Sequence, residues 1–499
     1  MVASFRTLCL ASLGASAALV RPLPAQTSHP LDPEHAALGI SADDLRTRIG
    51  IIADDSMGGR DTPSPGLEKT ARYIADQFRS FGLAPGVGDS YLQHYPLTVV
   101  RPGPAEAQEA VLHGPEGDIQ LAGELVHTRP EAGRNHGSGP IVRLASAAEM
   151  ASARGRVALL RLNRSELRHL FRGLPRSAAT ERPAAVIVAL DVDDQNDGLF
   201  ERLVGFLARR RMTLGEPGEP LPPILYVRAA DLPASLGEAT AAEDGTLAGW
   251  TAEVQTEGSL ERLEAMNTIG ILEGSDPELR DEYVFFTAHM DHIGISHGAS
   301  GDSINNGADD DGSGTATVVE LAQAFASLET RPRRSLVFMT VSGEEKGLFG
   351  SRWYSENPVL PLERTVADLN IDMIGRNWPD SVVVIGKNES SMGALVERIA
   401  SEHPELDMVP IDDRWPEENF YSRSDHFNFA RKGVPILFFF SGVHEDYHRP
   451  GDEPSKILYD KTARIGRLVF LLGLEVANAD ERPSWDPEAY KRVVESSSR

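Results

Sequence analysis

The 499-residue chain has a single cysteine, Cys9. A lone thiol excludes a disulfide framework and a cysteine-built zinc site, and its position excludes a thiol nucleophile from a processed protein. Positive charge is also scarce: 49 Lys and Arg face 74 Asp and Glu, for a formal net charge of -25. Phosphate contacts need a basic surface, so neither nucleic acid nor an anionic membrane is an expected partner. The acidity reads as solubility. Long apolar runs are missing too. The run from Leu8 to Val20 holds about a dozen apolar or small residues, fewer than the ~20 that cross a bilayer. Preceded by Arg6 and followed by Leu23-Pro24-Ala25, it has the pattern of a secretory signal peptide over residues 1–26. The expectation is therefore an exported protein, periplasmic or secreted, with no membrane attachment in the mature form. Lipidation of Cys9 is not expected, because Arg6-Thr7-Leu8 lacks the small residue that precedes a lipidated cysteine. No internal repeat is visible.

What is present is enough apolar material, 41% of residues, for a chain too long for one core. Helical spacing marks Leu45 to Ile51 and Leu67 to Phe81, where Ala71, Ile74, Ala75, Phe78 and Phe81 recur at three- and four-residue steps before Gly82. From Arg101 to Asn135 the composition turns to Gly, Pro, Glu and Ala, which marks a boundary. Short strand candidates follow at Arg156–Leu160, Ala185–Leu190 and Ile224–Val227. After Asn267 strands and helices alternate. Tyr283 to Thr287, Ser335 to Val341, Ala367 to Ile371, Val382 to Ile385 and Ile436 to Phe440 are near-continuous apolar runs, as strands buried on both faces should be. Helices are expected over Ser313 to Leu328, Ser391 to Glu402 and Ile457 to Val476. This alternation predicts an α/β fold: a doubly wound, mostly parallel sheet with helices on both faces, plus an inserted smaller α/β or β-rich domain. The expected division is 41–100 and 256–478 for the main domain, 101–255 for the insert, and 479–499 for a polar, mobile tail.

Five side chains of metal-ligand type occur in the order His289, Asp310, Glu345, Asp372 and His448. Their segments are His289-Met290-Asp291-His292-Ile293-Gly294, Asn306 to Gly314, Ser342-Gly343-Glu344-Glu345-Lys346-Gly347, Asn370 to Gly375 and Tyr447-His448-Arg449-Pro450-Gly451-Asp452. Four of the five follow predicted strands, where open α/β sheets place their functional loops. Each segment has a bland alternative. An acidic loop entering a helix, such as 307–314, is equally a helix cap, and consecutive glutamates are equally a solvated turn. Asp372, between Ile371 and Met373, is an exception, because an unpaired buried carboxylate is costly.

Together, in this order, the segments resemble the zinc aminopeptidase superfamily, which includes bacterial leucyl-type aminopeptidases, glutamate carboxypeptidase II, the glutaminyl cyclases and the transferrin-receptor ectodomain. The resemblance implies two Zn2+ per chain, with Co2+ or Mn2+ as substitutes. One ion would be held by His289, Asp372 and a shared Asp310, the other by Glu345, His448 and the same Asp310. Asp309 and Asp311 compete with Asp310, and alignment on Gly312-Ser313-Gly314 selects Asp310. His444 competes with His448, and the Tyr447 to Asp452 segment selects His448. Two divalent cations carry four positive charges, which Asp310, Glu345, Asp372 and a bridging hydroxide would offset.

The resemblance further implies that Glu344 is the general base that activates water and then protonates the leaving amine. Asp291 would orient the His289 imidazole. Tyr447 would stabilise the oxyanion, and Arg423, in Ser422-Arg423-Ser424-Asp425-His426, would contact a substrate or product carboxylate. Asp425 and His426 would shape that loop. Residues 51–61 resemble the opening of exported members, and the insert resembles a protease-associated domain that could wall one side of the cleft. The implied activity is that of an exported di-zinc exopeptidase acting on peptides, most readily an aminopeptidase. The rival readings are a carboxypeptidase of the glutamate carboxypeptidase type, a glutaminyl cyclase and a non-catalytic receptor-like ectodomain.

Overall fold

The computed structural model describes residues 30–129, 132–167, 174–192, 198–216, 221–296 and 301–496. The signal peptide expected over residues 1–26, with Cys9, lies outside the described residues. At the centre of the fold, four parallel strands run side by side in the order Ser335–Val341, Tyr283–His289, Thr365–Ile371 and Ile436–Phe440. Antiparallel strands flank them: the end of Thr246–Leu272 pairs with 336–340, and Ser381–Ile385 pairs with 438–440. The sheet is mostly parallel at its core, and helices cover both faces. Val284, Phe286 and Ala288 point to the face packed by helices Pro65–Ser80, Gly312–Ala326 and Tyr459–Asn478, through Phe78, Phe325 and Phe470. Phe285 points the other way, toward Tyr354 and Phe429 of helices Phe349–Glu356 and His426–Ala430. Burial on both faces explains why these strands are unbroken apolar runs rather than alternating ones.

Helix ends follow local chemistry. Ser64 caps Pro65–Ser80 by accepting from the Leu67 N–H, and proline occupies the first turn, where its missing N–H has no cost. Asp311 caps Gly312–Ala326 by accepting from the Gly314 N–H at 2.8 Å. That cap draws the aspartate-rich loop down onto the carboxyl end of the sheet.

Residues 101–255 form strands that alternate with short helices. Val157–Asn163, Ala185–Asp191 and Ile224–Arg228 are parallel neighbours. The stretch 101–135, which composition marks only as a boundary, contains the hairpin Glu109–Gly114 and Gly117–Ala122. A 27-residue strand, Thr246–Leu272, runs without interruption from the sheet of this region into the central one. The expected boundary near residue 255 falls within it. The segment after Ala479 differs from the mobile tail expected from its polarity. Ala489 and Val493 are buried, the Trp485 indole donates to the Gly433 carbonyl at 2.9 Å, and a helix forms over Pro487–Tyr490. Three apolar side chains spaced four apart anchor it despite the charges between them.

Candidate metal centre

Each candidate ligand sits just past the end of a strand or helix-entering loop. His289 closes its strand, Asp372 follows Ile371, Glu344 and Glu345 follow the turn at Ser342-Gly343, and His448 lies in the loop after Phe440. His289 Nε2 lies 3.3 Å from Asp310 Oδ1 and 3.5 Å from Asp372 Oδ1. His448 Nε2 lies 3.3 Å from Asp310 Oδ2 and 3.2 Å from Glu345 Oε2. The two oxygens of Asp310 therefore face two different imidazoles, and all five predicted ligands converge.

Two further side chains reach the cluster. His292, fully buried, places Nδ1 2.8 Å from Glu345 Oε1 and 3.7 Å from Asp310 Oδ2. The carboxylate of Asp311 lies close enough to His289 and Asp372 to share an ion with them, as His292 does with Asp310 and Glu345. Asp311 is nevertheless engaged by backbone: it accepts from the N–H groups of Gly314, Met373 and His289. Sequence reasoning passed over His292, although its place three residues after His289 was a signal. Of the competing residues, Asp309 accepts from the Gly375 N–H at 2.6 Å and from Ser313 Oγ at 2.9 Å, beneath the cluster. His444 turns toward it there, with Nε2 3.4 Å from Asp309 Oδ2.

Burial opposes charge on every group, and neighbouring charges overcome it on some and fail to on others. Burial would lower His289, but Asp372 and Asp310 hold it well above the usual imidazole value. Against burial, Asp310 and Glu345 likewise raise His448 to about 10. Burial would raise Asp310, yet His292, His289 and His448 keep it well below the carboxylate range. Asp311 is pushed well up by burial and by Asp372. Such crowding of carboxylates calls for cations. Asp310 Oδ2, Asp372 Oδ1 and His292 Nε2 are buried without hydrogen-bond partners, a costly condition that coordination would relieve. Mixed imidazole and carboxylate donors suit zinc. On these grounds the residues fit a metal centre.

The surrounding residues hold this arrangement. Ser424 Oγ donates to Asp372 Oδ2 at 2.8 Å and accepts from Asn370 Nδ2 at 3.1 Å, a link the sequence did not reveal. The His289 Nδ1 contact differs in detail from expectation. The Asp291 backbone carbonyl is nearer, at 3.1 Å, than its carboxylate, at 3.8 Å. That carboxylate accepts from the Glu344 N–H at 3.2 Å and from Thr62 Oγ1 at 2.9 Å, and burial raises it to about 6 despite His289. Burial also holds the Glu344 carboxyl well above its ordinary value; His289 opposes this and Asp425 adds to it. Asp425 accepts from Ser351 Oγ, and the His426 imidazole meets the Tyr421 carbonyl at 2.9 Å.

A cleft opens beside the cluster. Glu344, Asp372, Tyr447 and Arg423 line it together with His289, Asp310 and His448. The Tyr447 ring stacks on His448 at 3.8 Å between centroids, and burial, then Asp310 and Glu345, push its phenol up. Arg423 lies over the Phe420 ring at 4.6 Å, with Nη1 3.5 Å from Glu418. An apolar part of the lining is made by Met373, Phe420, Phe438, Phe440 and Val443.

The site is a cluster of imidazoles and carboxylates fitted to metal, set at the strand ends of a mostly parallel α/β sheet. Residues 267–472 match the profile of Peptidase family M28. Among its relatives, Aminopeptidase YwaD of Bacillus subtilis (strain 168) is 26% identical over 229 residues, covering 44% of this chain and 46% of that protein. Leupeptin-inactivating enzyme 1 of Streptomyces exfoliatus is 30% identical over 210 residues, covering 42% of each. The chain thus spans less than half the length of either curated relative. The solved aminopeptidase from Aneurinibacillus sp. strain AM-1 superposes with a TM-score of 0.54 at 20% identity, over 91% of this chain and 98% of that one. That likeness concerns the fold.

Proposed function

We propose that this chain is an exported di-zinc aminopeptidase that removes the N-terminal residue of peptides. The observation that carries the reading is the position of Asp310, whose two carboxylate oxygens each lie 3.3 Å from a different imidazole. His289, Asp372 and Asp310 would hold one zinc ion, and Glu345, His448 and Asp310 the other. His292 stands beside the second set. When bound, the ions would supply Lewis-acid polarisation of the scissile carbonyl and a nucleophile at neutral pH.

The remaining roles fall to the chain's own groups. Glu344, half-buried at the cleft, takes a proton from the attacking water and delivers it to the leaving amine. Asp291 fixes the start of the Glu344 loop by accepting the Glu344 N–H, and its backbone carbonyl orients His289. Tyr447 stays protonated, since its surroundings push the phenol up, and donates to the developing oxyanion. Glu344 and Asp372 face the free ammonium group of the substrate. The apolar part of the lining suits an apolar N-terminal side chain, while Arg423 on the rim suits a downstream carboxylate.

Zinc analysis combined with a substrate panel tests the reading. Close to two zinc ions per chain are expected, with release of the first residue from aminoacyl anilides and none from their N-acetylated counterparts. Protein active without metal would overturn the metal assignment. Cleavage indifferent to N-acetylation and dependent on a C-terminal glutamate would replace the aminopeptidase with a carboxypeptidase, and ammonia release from the side-chain amide of N-terminal glutamine with every peptide bond intact would replace it with a cyclase.

A further inference from the structure

The segment Gly59–Thr62 precedes the family-matched region by some two hundred positions, yet it lies directly behind the metal-site loops. Arg60 is fully buried. Among the described residues, its guanidinium donates only to backbone carbonyls: Nε to Met290 at 2.9 Å, Nη1 to Ile52 at 3.0 Å and to Asn306, and Nη2 to Gly307 at 2.9 Å and Asp310 at 3.5 Å. Met290 adjoins His289, and the Asn306 to Asp310 loop presents the shared carboxylate. One planar fork thus ties together the two loops whose side chains must meet.

The neighbours of Arg60 extend the tie. Its carbonyl accepts from the His292 N–H at 3.2 Å, and the Gly59 carbonyl accepts from the Gly294 N–H at 2.9 Å. Gly59 has φ +66, and a Cβ there would fall 2.6 Å from the carbonyl oxygens of Asn305 and Gly294, so only glycine lets the segment approach this closely. Thr62 reaches the third loop. Its hydroxyl donates to Asp291 Oδ2 at 2.9 Å and accepts from the Gly343 N–H at 3.0 Å, the residue before Glu344. Asp61 pairs with Lys346 at 2.6 Å, just beyond Glu345.

From this geometry we infer that Arg60 and Thr62 are positioning residues of the metal centre, setting the spacing of the loops that carry His289, Asp310 and Glu344–Glu345. The inference rests on the di-zinc reading. Neither residue lines the cleft, so they act through the ligands and the base. The fork is specific to arginine: a lysine ammonium keeps the charge but, as a single nitrogen, cannot reach carbonyls on opposite sides of a guanidinium plane. The threonine hydroxyl is needed both as donor and as acceptor, so valine removes both functions at nearly constant shape.

The test uses the full chain, with zinc affinity measured by competition with a chelator, zinc stoichiometry, and kcat and KM on an aminoacyl anilide. Thr62→Val is expected to fold, to bind zinc about 10- to 100-fold more weakly, as removal of groups supporting metal ligands does, and to lose kcat with KM unchanged at saturating zinc. Thr62→Ser should restore both. Arg60→Lys should weaken zinc binding similarly, although its charge is retained. If wild type binds two zinc ions and all three variants match it in zinc affinity and kcat, the positioning role is overturned and the di-zinc reading stands. Zinc-free wild type that is fully active would overturn the di-zinc reading and this inference with it.

Discussion

Two parallel parts of the sheet in this chain are built on one plan and differ in what they bury. In the region 101–255, Val157, Leu159, Ile187 and Leu225 point to one face, and Ala158, Leu160, Val188 and Tyr226 to the other. Phe285 and Phe286 alternate in the same way in the central sheet. Among the described residues of 101–255, however, no charged or histidine side chain is buried, whereas the central domain buries His289, Asp291, His292, Asp310, Asp311, Asp368, Asp425 and Asp452, among others. Apolar burial favours folding in both places. Enclosed carboxylates oppose it unless something compensates them. The contrast teaches that the sheet alone does not require such a costly interior, and that the compensating partner is to be sought where the cost is concentrated.

The sharpest way to break the comparison is to remove the shared carboxylate. Asp310→Ala is expected to abolish activity and to lose bound zinc, read by metal analysis of the purified variant. Retention of both ions would place the bridge on a neighbouring aspartate. Glu344→Gln should lose kcat by about 10²-fold or more while keeping its zinc, which separates the base from the ligands.

Metal removal should distinguish the two regions thermodynamically. Chelation is expected to lower the melting temperature of the central domain, because an ion present at about 100 times its dissociation constant adds about 2.7 kcal/mol. Leu160→Ala, in the apolar region, should cost about 2–5 kcal/mol in denaturant unfolding and leave zinc content and kcat unchanged. Altered zinc content in that variant would show the regions to be coupled.

The smallest effect concerns His426, whose buried imidazole is lowered to about 3. Because the folded value lies below the unfolded one, its contribution is fully present above about pH 6.5 and is lost as pH falls toward 3, by about 1.4 kcal/mol per unit. Between pH 7 and pH 5, His426→Phe should therefore lose about 2 kcal/mol less than wild type in paired unfolding curves. Equal losses would show that the imidazole already accepts its proton in the folded state.

The legible parts of this fold are those where local pattern and burial coincide. Ser335–Val341 and Ile436–Phe440 are found at their predicted positions because strands covered on both faces carry no charged side chain and are mostly apolar. Thr246–Leu272 was not legible: its outer half alternates buried Val254 with exposed Glu253, and Glu and Arg continue through 264, so neither the apolar run nor a turn marks it. The convergence of His289, Asp310, Glu345, Asp372 and His448 followed from motif order. His292 was overlooked because a histidine beside Asp291 reads as part of the same turn. Arg60 lies in the 51–61 segment that the resemblance includes, but its positioning role has no local sign, since what identifies it is the set of carbonyls from distant loops that surround it.

The long strand also bears on how such a chain can be remodelled. Leu92–Pro102 pairs antiparallel with the inner half of Thr246–Leu272, and Pro102 stands directly opposite Gly258 in that ladder. The polypeptide thus departs from the central sheet and returns to it at adjacent rungs. Excising residues 103–257 would leave two strand ends at hairpin spacing, which a two-residue Asn-Gly turn can close. The same pair of rungs can receive a different module, so this hairpin stem is a natural splice point at which recombination could exchange the outer region while leaving the ladder beneath it in register.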